Sequence, residues 1–460
     1  MSISAAYIVP HPPLIVPEVG RGQEQTIQKT IESYHTVARQ IAGLKPETIV
    51  LISPHSVMYA DYIHISPGNR AQGSLKQFGA PAVSNVDYDT ALVDELCRLC
   101  SAADFPAGTL GEKDSTLDHG TLVPLHFVNQ YYTGYRLVRC SISGLPRQEH
   151  YRFGMIIAEA VEALGRDVVV IASGDLSHKL TKDGPYGFAA EGPALDKKLT
   201  SIMRSGRFSD FLELDSTLCE RGAECGLASF ITMAGILDQK VVDTEFLSYE
   251  GPFGVGYAVC AYQVVGDNPS RDFLNQAAAK SSRRIQSLRD NEDAFVRLAR
   301  YTLESYVTTG KLPPLPKDLP DELQKARAGV FVSIKKDGQL RGCIGTTEPT
   351  RPNIAKEIMN NAVSSGTRDP RFPTVREDEL SSLVYSVDVL SPAQPVSDKS
   401  TLDVLRYGVI VTSGRKRGLL LPNLEGVDTV DSQIHIACQK AGIGRNESYT
   451  LERFEVVRHL

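Results

Sequence analysis

Three histidines in the first half of the chain each follow a short apolar run: AYIVP before His11, TIVLISP before His55 and VVVIASGDLS before His178. Runs of this length, rich in β-branched residues, read as buried strands. Each imidazole therefore stands just past the carboxyl end of a predicted strand. In open α/β sheets the loops at that end diverge and leave a crevice where ligands bind. One histidine at such a place is usually an ordinary hydrogen-bonded residue, but three at one address read as a site. His119, in STLDHGTLVPL, is a fourth candidate at a loop-to-helix junction, and His126 is taken as structural.

Neutral imidazoles are metal ligands, and two of them with one carboxylate form the facial triad of non-haem Fe(II) enzymes. His11 and His55 supply the imidazoles in this reading. Glu224, in RGAECGLASF, is the preferred carboxylate, on the expectation that it lies at the start of a helix from Ala223 to Leu237 facing the crevice. Cys225 competes with it. Consecutive helical residues point about 100° apart, so only one of the two should face the ion. A thiolate ligand would move the preference from Fe(II) toward Cu or Zn. Asp175, shortly before His178, is placed to orient that histidine as a supporting carboxylate.

The elements that must hold these residues alternate in type. Ala6 to Val9, Thr48 to Ile52, Tyr135 to Cys140, Val168 to Ile171 and Gly256 to Val265 read as strands. Gln23 to Ala42, Ala91 to Ala102, Arg152 to Leu164 and Leu195 to Met203 read as helices, which with the strands gives an α/β domain with a central sheet flanked by helices. Gly266 to Ser270 is a boundary signal. The expected division is 1–266, a linker at 267–282, and a second, α+β domain at 283–460. That second domain mixes strands (Gly329 to Ile334, Leu383 to Leu390, Val409 to Thr412, Gly418 to Leu421) with helices near Ile354 to Ser364 and Gln433 to Ala441.

Composition narrows the class. A chain of 460 residues exceeds one ordinary core, and 42% hydrophobic with 23% charged residues places it among globular proteins. A net charge of -6 argues against nucleic acid or an anionic membrane as partner. No run approaches the ~20 apolar residues of a membrane span. Met1 to Pro13 lacks a basic start and is broken by Pro10, Pro12 and Pro13, so a secretion signal is not read there and the cytoplasm is expected. Eight cysteines are too sparse for a disulfide framework, so reduced thiols are expected. Cys97 and Cys100 lie in a helical pattern with no second pair to complete a zinc site.

VPHPPLIVPEVG, LISPHS, STLDHGTLVPL, SGDLSH and AECG together resemble the class III extradiol dioxygenase superfamily, which also holds the Memo proteins. The resemblance implies Fe(II) on His11, His55 and Glu224, His178 as the catalytic acid/base, and His119 as a substrate-pocket or oxyanion-stabilising group. The Memo pattern instead implies Cys225, followed by Gly226, as third ligand. LRGCIGT, DPRFP, VDVLSP and the segment from Glu425 to Ile443 are similar to the AMMECR family. A chain joining both resembles the AmmeMemoRadiSam architecture, which implies a radical S-adenosylmethionine protein as partner.

Arg341, Cys343, Asp369 and Arg371 are the candidate site of the second domain, with Arg341 a neighbour that would acidify the Cys343 thiol. Arg415, Lys416 and Arg417 read as a solvated hairpin turn. Three functions follow: a dioxygenase-type oxidoreductase acting on a small aromatic or phenolic substrate, oxygen-independent chemistry on the same metal with the radical partner, or a metal-binding interaction module without turnover. The oligomeric state is left open.

Overall fold

The computed structural model describes residues 2–81, 83–113, 115–336, 338–424, 426–445 and 447–460; Met1 and Glu425, which begin two of the segments quoted above, lie outside them. The chain divides into two compact units, Met1–Ala279 and Lys280–Leu460.

The first unit is built on a six-stranded mixed sheet of β1 (Ile3–Val9), β2 (Thr48–Ser53), β3 (Arg136–Ser141), β4 (Val168–Ser173), β5 (Lys240–Glu250) and β6 (Tyr257–Asp267), in the order β3-β2-β4-β1-β6-β5. β3, β2, β4 and β1 are mutually parallel, and β6 and β5 add antiparallel. The parallel strands are apolar on both faces because helices cover both. Ile8, Val50, Ile52, Val138 and Val170 enter one core. Tyr7, Val9, Leu51, Val169 and Ile171, their alternating neighbours, enter the other.

Helices α1 (Gln28–Leu44) and α3 (His119–Val128) bury Tyr34, Val37, Ile41, Leu122 and Phe127 in the second of these cores. α2 (Thr90–Ala102), α4 (Arg147–Leu164), α5 (Glu191–Ser205) and α6 (Leu227–Ile236) pack into the first. All eight cysteines are free. Among the described residues, no helix is long and apolar enough to cross a membrane.

The strand β5 was not expected; it is an edge strand whose residues are mostly half-buried or exposed, so its apolar alternation is faint. The stretch 267–282, named a linker, holds the start of α7 (Phe273–Asp290), in keeping with the helical character of Ala277 to Arg289 in the sequence, and Phe273 and Ala277 are buried in the first unit's core.

The second unit is α+β. Its main sheet runs β8 (Gln339–Gly345), β7 (Gly329–Lys336), β9 (Leu383–Leu390), β12 (Thr450–His459), β10 (Tyr407–Ser413), β11 (Lys416–Leu420), with a short strand at Gln394–Pro395 beside β12. Helices α8 (Ala294–Thr309) and α9 (Ile354–Thr367) cover Val330, Val332, Ile334 and Val387, while α10 (Val430–Ala441) packs on β10 and β11. Ser413 pairs with Lys416 across the basic hairpin turn.

The α4–α6 contact bears on the site, because the loop leading into α6 carries Glu224 and Cys225. Gly154 and Gly235 let the helices touch: a Cβ at either would collide with backbone of the other helix. In Gly154→Ala the gain in helix propensity, at most about 1 kcal/mol, is outweighed by an overpacking cost of about 1–3 kcal/mol. A net loss of up to about 2 kcal/mol in the first unit's unfolding free energy is expected from these two terms, measured by urea denaturation; a raised midpoint would contradict the close approach.

Candidate metal centre

Three adjacent strands end level with one another. Val9 of β1 pairs with Ser173 of β4, and Ile52 of β2 with Ala172 of β4. Two residues beyond each end stand His11, Asp175 and His55. Tyr34 of α1 donates to the Pro10 carbonyl, and the His11 amide donates to Asp175 Oδ1 at 2.8 Å, which together fix the turn after β1. His11 is 2% exposed. Its Nδ1 lies 2.9 Å from Ser173 Oγ, whose own proton goes to the Gly120 carbonyl at 2.6 Å. Nδ1 is therefore the protonated nitrogen, and Nε2 keeps its lone pair. That Nε2 is 3.0 Å from His55 Nε2.

The third donor arrives from the loop before α6. Ala223 adopts a left-handed conformation (φ 54) that ends the short helix Ser216–Gly222, and α6 starts only at Leu227. The Cys225 and Gly226 amides both donate to the Asp175 carbonyl, at 3.4 and 3.1 Å. Gly226 lies so close to Gly174 that a Cβ on either residue would overlap its neighbours. This brings Cys225 Sγ to 3.6 Å from His11 Nε2, and the donors of His11, His55 and Cys225 all lie within 4.8 Å of one another. A tetrahedral ion with bonds of about 2.0 Å to nitrogen and about 2.3 Å to sulfur spaces its donors roughly 3.3–3.6 Å apart. The observed 3.6 Å between sulfur and nitrogen matches this spacing, and the 3.0 Å between the two nitrogens is shorter than it, so the imidazoles would part slightly around an ion.

Glu224, the carboxylate preferred from the sequence, lies outside this donor group. Its carboxylate turns back to accept the Leu227 amide at 2.6 Å, at the start of α6. The 100° argument assumed a helix from Ala223, and a turn stands there instead. The Asp175 carboxylate holds the His11 backbone, and no hydrogen bond to His178 is among the described contacts. Asp175, His178 and Cys225 nevertheless form a second group of donors within 4.8 Å of one another. The His178 ring stacks on Tyr186 at 5.0 Å, and its Nε2 is buried without a partner. His119 opens α3 and lies 4.1 Å from the His55 ring and 5.6 Å from Phe78. Asp118 caps that helix and also accepts Ser53 Oγ at 2.5 Å, with Ser53 Oγ accepting the His55 amide. Ser173, Asp118 and Tyr186 were not singled out from the sequence; only Asp118, as an acidic residue preceding a helix, carried a recognisable signal.

Burial sets the charge of the cluster. It lowers the pKa of His11, His55 and His178, and that of His119 to about 4, with the neighbouring imidazoles adding to the effect at His11, His119 and His178. Burial also raises Asp175 to about 7 and the Cys225 thiol well above its usual value. The imidazoles are thus ready ligands at neutral pH, whereas the two acids must lose protons to a cation. A cavity of about 370 Å³ opens beside His55, lined by Ser56, Ser74, Lys76, Thr116, Asp118 and Arg139 among others.

In the second unit the candidate residues pair internally. Arg341 forks onto Glu379 at 3.0 and 2.9 Å and donates to the Pro373 carbonyl, so it is engaged away from the Cys343 thiol. That pairing holds Glu379 down to about 2. Arg371 forks onto Asp369 and reaches the Cys343 carbonyl, while Asp369 accepts the Cys343 amide at 2.8 Å. The thiol itself accepts from Ser333 Oγ at 3.2 Å.

The first unit is thus a mixed α/β fold with imidazole and thiol donors, able to hold a metal ion, gathered at its strand ends. Comparison with known proteins gives the family. Residues 5–260 match the catalytic LigB subunit of aromatic ring-opening dioxygenase, and residues 296–459 match AMMECR1. The chain belongs to the LigB family and carries an AMMECR1 domain behind it. A Clostridium acetobutylicum protein is 42% identical over 100% of this chain and 99% of its own length. A Thermotoga maritima protein is 51% identical over 36% of this chain and 98% of its own. An uncharacterized Pyrococcus horikoshii protein of known structure is 33% identical, with a TM-score of 0.33, covering 36% of this chain and 88% of that one.

Two outcomes are expected at this centre. Cys225→Ser should weaken Co(II) or Zn(II) binding at least about a hundredfold, whereas Glu224→Gln should change it by less than about fivefold, since a supporting residue typically costs 10–100-fold and Glu224 is not even that; the reverse ranking in calorimetric titration would restore Glu224. Ion binding should also release protons, about one near pH 8 from Cys225 and about two near pH 6 where Asp175 is protonated as well. Apparent affinity then falls as pH drops, more steeply below pH 7, and calorimetry in buffers of different ionisation enthalpy counts the protons. A pH-independent affinity would refute it.

Proposed function

We propose that this chain is a metal-dependent oxidoreductase acting on a small aromatic or phenolic substrate, with a non-haem ion, Fe(II) first, held by His11, His55 and Cys225. The observation that carries the reading is the His11–His55–Cys225 donor cluster at the strand ends of a LigB-family unit. When bound, such an ion supplies a Lewis-acidic, redox-active seat for a phenolic oxygen.

The chain's own residues supply orientation and proton handling. His178, neutral at working pH and with Nε2 unbonded, is placed to take a substrate hydroxyl proton and return it. His119, with its pKa near 4, stays neutral and offers a hydrogen bond rather than a charge to a developing oxyanion. Phe78 against His119 and Tyr186 against His178 offer aromatic surface near the cluster.

Cys225 in place of a carboxylate favours a second reading. A thiolate suits Cu or Zn as well as Fe(II), and it fits the Memo pattern, in which the centre does oxygen-independent chemistry with a radical S-adenosylmethionine partner. Metal analysis of anaerobically purified protein comes first: about one iron per chain is expected, on the single tight donor set, and lost in His11→Ala. Oxygen uptake with a panel of catechols then separates the readings. His178→Ala should retain iron and lose about 10²–10⁴-fold in turnover. Protein that holds no metal under any loading would end both readings and leave an interaction module.

A further inference from the structure

We propose that Asp196, a buried carboxylate on α5 outside the donor cluster, is a positioning residue that braces the His178 segment and the Cys225 loop against each other. The inference rests on that cluster being the working site and names what holds it in shape. Asp196 is 2% exposed and accepts on both sides: the Ser177 amide at 2.7 Å on Oδ1 and the Tyr249 hydroxyl at 2.7 Å on Oδ2. Ser177 immediately precedes His178 and is itself fully buried. Its hydroxyl donates to the Gly222 carbonyl at 2.7 Å and accepts the Lys179 amide at 3.0 Å, and its carbonyl accepts the Gly256 amide at 2.8 Å.

The same two segments meet again at His178, whose amide is shared between the Gly222 and Ala223 carbonyls at 3.3 and 3.2 Å. Gly222 and Ala223 form the turn that delivers Cys225. One carboxylate thus stands behind both segments, acting through Ser177. Packing shows that its place is built. A Cβ on Gly256, the residue before β6, would come within 2.1 Å of Asp196 Oδ2. A Cβ on Gly192, one turn earlier on α5, would come within 2.8 Å of Ser177 Oγ and 2.4 Å of the Lys179 carbonyl. Only glycine allows approaches this close.

Folding alone does not call for a charge at this position. Burial pushes the Asp196 carboxyl up to about 6, and among the described residues no cation pairs with it, so at neutral pH it is ionised at a cost. What the carboxylate supplies is two acceptor oxygens facing opposite ways. An asparagine offers one and an alanine none, so either leaves the Ser177 amide or the Tyr249 hydroxyl without its partner. Hydrogen bonds to an ionised acceptor are also about twice as strong as neutral ones. A site that keeps His178 Nε2 unbonded, close to Cys225, needs a stiff support of this kind.

Hydrogen–deuterium exchange of the metal-free full chain, read by mass spectrometry, tests the brace, with anaerobic Co(II) titration alongside. In Asp196→Ala, exchange over 176–180 and over 222–226 should rise at least about tenfold while β2 and α1 stay within about twofold of wild type. Asp196→Asn, which keeps one acceptor, and Tyr249→Phe, which removes one donor at a half-exposed position, should each raise exchange over 176–180 about threefold; both keep the test open if circular dichroism shows the alanine variant unfolded. Co(II) affinity, followed by the cobalt–thiolate absorption of Cys225, should fall about tenfold in Asp196→Ala and recover in part in Asp196→Asn. A role in stability alone would leave the affinity of the folded variant untouched. Exchange over both segments unchanged in all three variants overturns the brace, and so does an unchanged Co(II) affinity in whichever Asp196 variants fold. A wild type that binds no Co(II) overturns the proposed function instead, and exchange alone then decides the brace.

Discussion

The level ending of three adjacent parallel strands is the constraint on which the rest of the first unit depends. β2, β4 and β1 are hydrogen-bonded in register, with Ile52 opposite Ala172 and Val9 opposite Ser173. Both faces of each strand are buried, so a slip of one residue would move every apolar side chain to the wrong core. That cost locks the register, and the register places His55, Asp175 and His11 side by side. Cys225 is delivered by a second constraint, the glycine contact between Gly174 and Gly226, which ties the loop before α6 to the end of β4.

Geometry then determines electrostatics. Side chains gathered at the bottom of a crevice lose water, so imidazoles stay neutral and the acids hold their protons. The result is a concentration of nitrogen lone pairs with few hydrogen atoms to satisfy them. His11 Nε2 faces His55 Nε2, and His178 Nε2 faces no donor. Folding alone gains nothing from such an arrangement. A cation converts it from a cost into a set of bonds, at the expense of the two acidic protons.

The sequence carried this logic unevenly. His11 and His55 were legible because the apolar runs before them end where the strands end, and an α/β sheet binds ligands at that edge. The choice between Glu224 and Cys225 was not legible, since it depends on whether Ala223 continues a helix or breaks into a left-handed turn, and an alanine with φ 54 leaves no trace in composition. β5 escaped for a related reason: as a partly exposed edge strand it lacks the alternation that reveals β6 beside it. β12 was missed similarly, with most of its residues half-buried or exposed. Asp175 was legible as a neighbour of His178, but its hydrogen bond to the His11 amide was not, because sequence proximity says nothing about a backbone amide that arrives from β1.

The same test of committed against uncommitted groups separates the two units. In the second, every candidate charge has a counterpart: Arg341 with Glu379 and Arg371 with Asp369. Bidentate pairs of this kind fix loops and strand edges, and removing one partner would strand the other. Cys343 sits among them as a hydrogen-bond acceptor from Ser333, with no imidazole or free carboxylate against the thiol among the described contacts. Residues that look equally reactive in sequence thus differ in kind once placed. Around Cys343 the candidate residues satisfy one another, whereas in the first unit the donor atoms of His11, His55 and Cys225 converge within 4.8 Å of one another, with the two Nε2 atoms of the histidines facing each other.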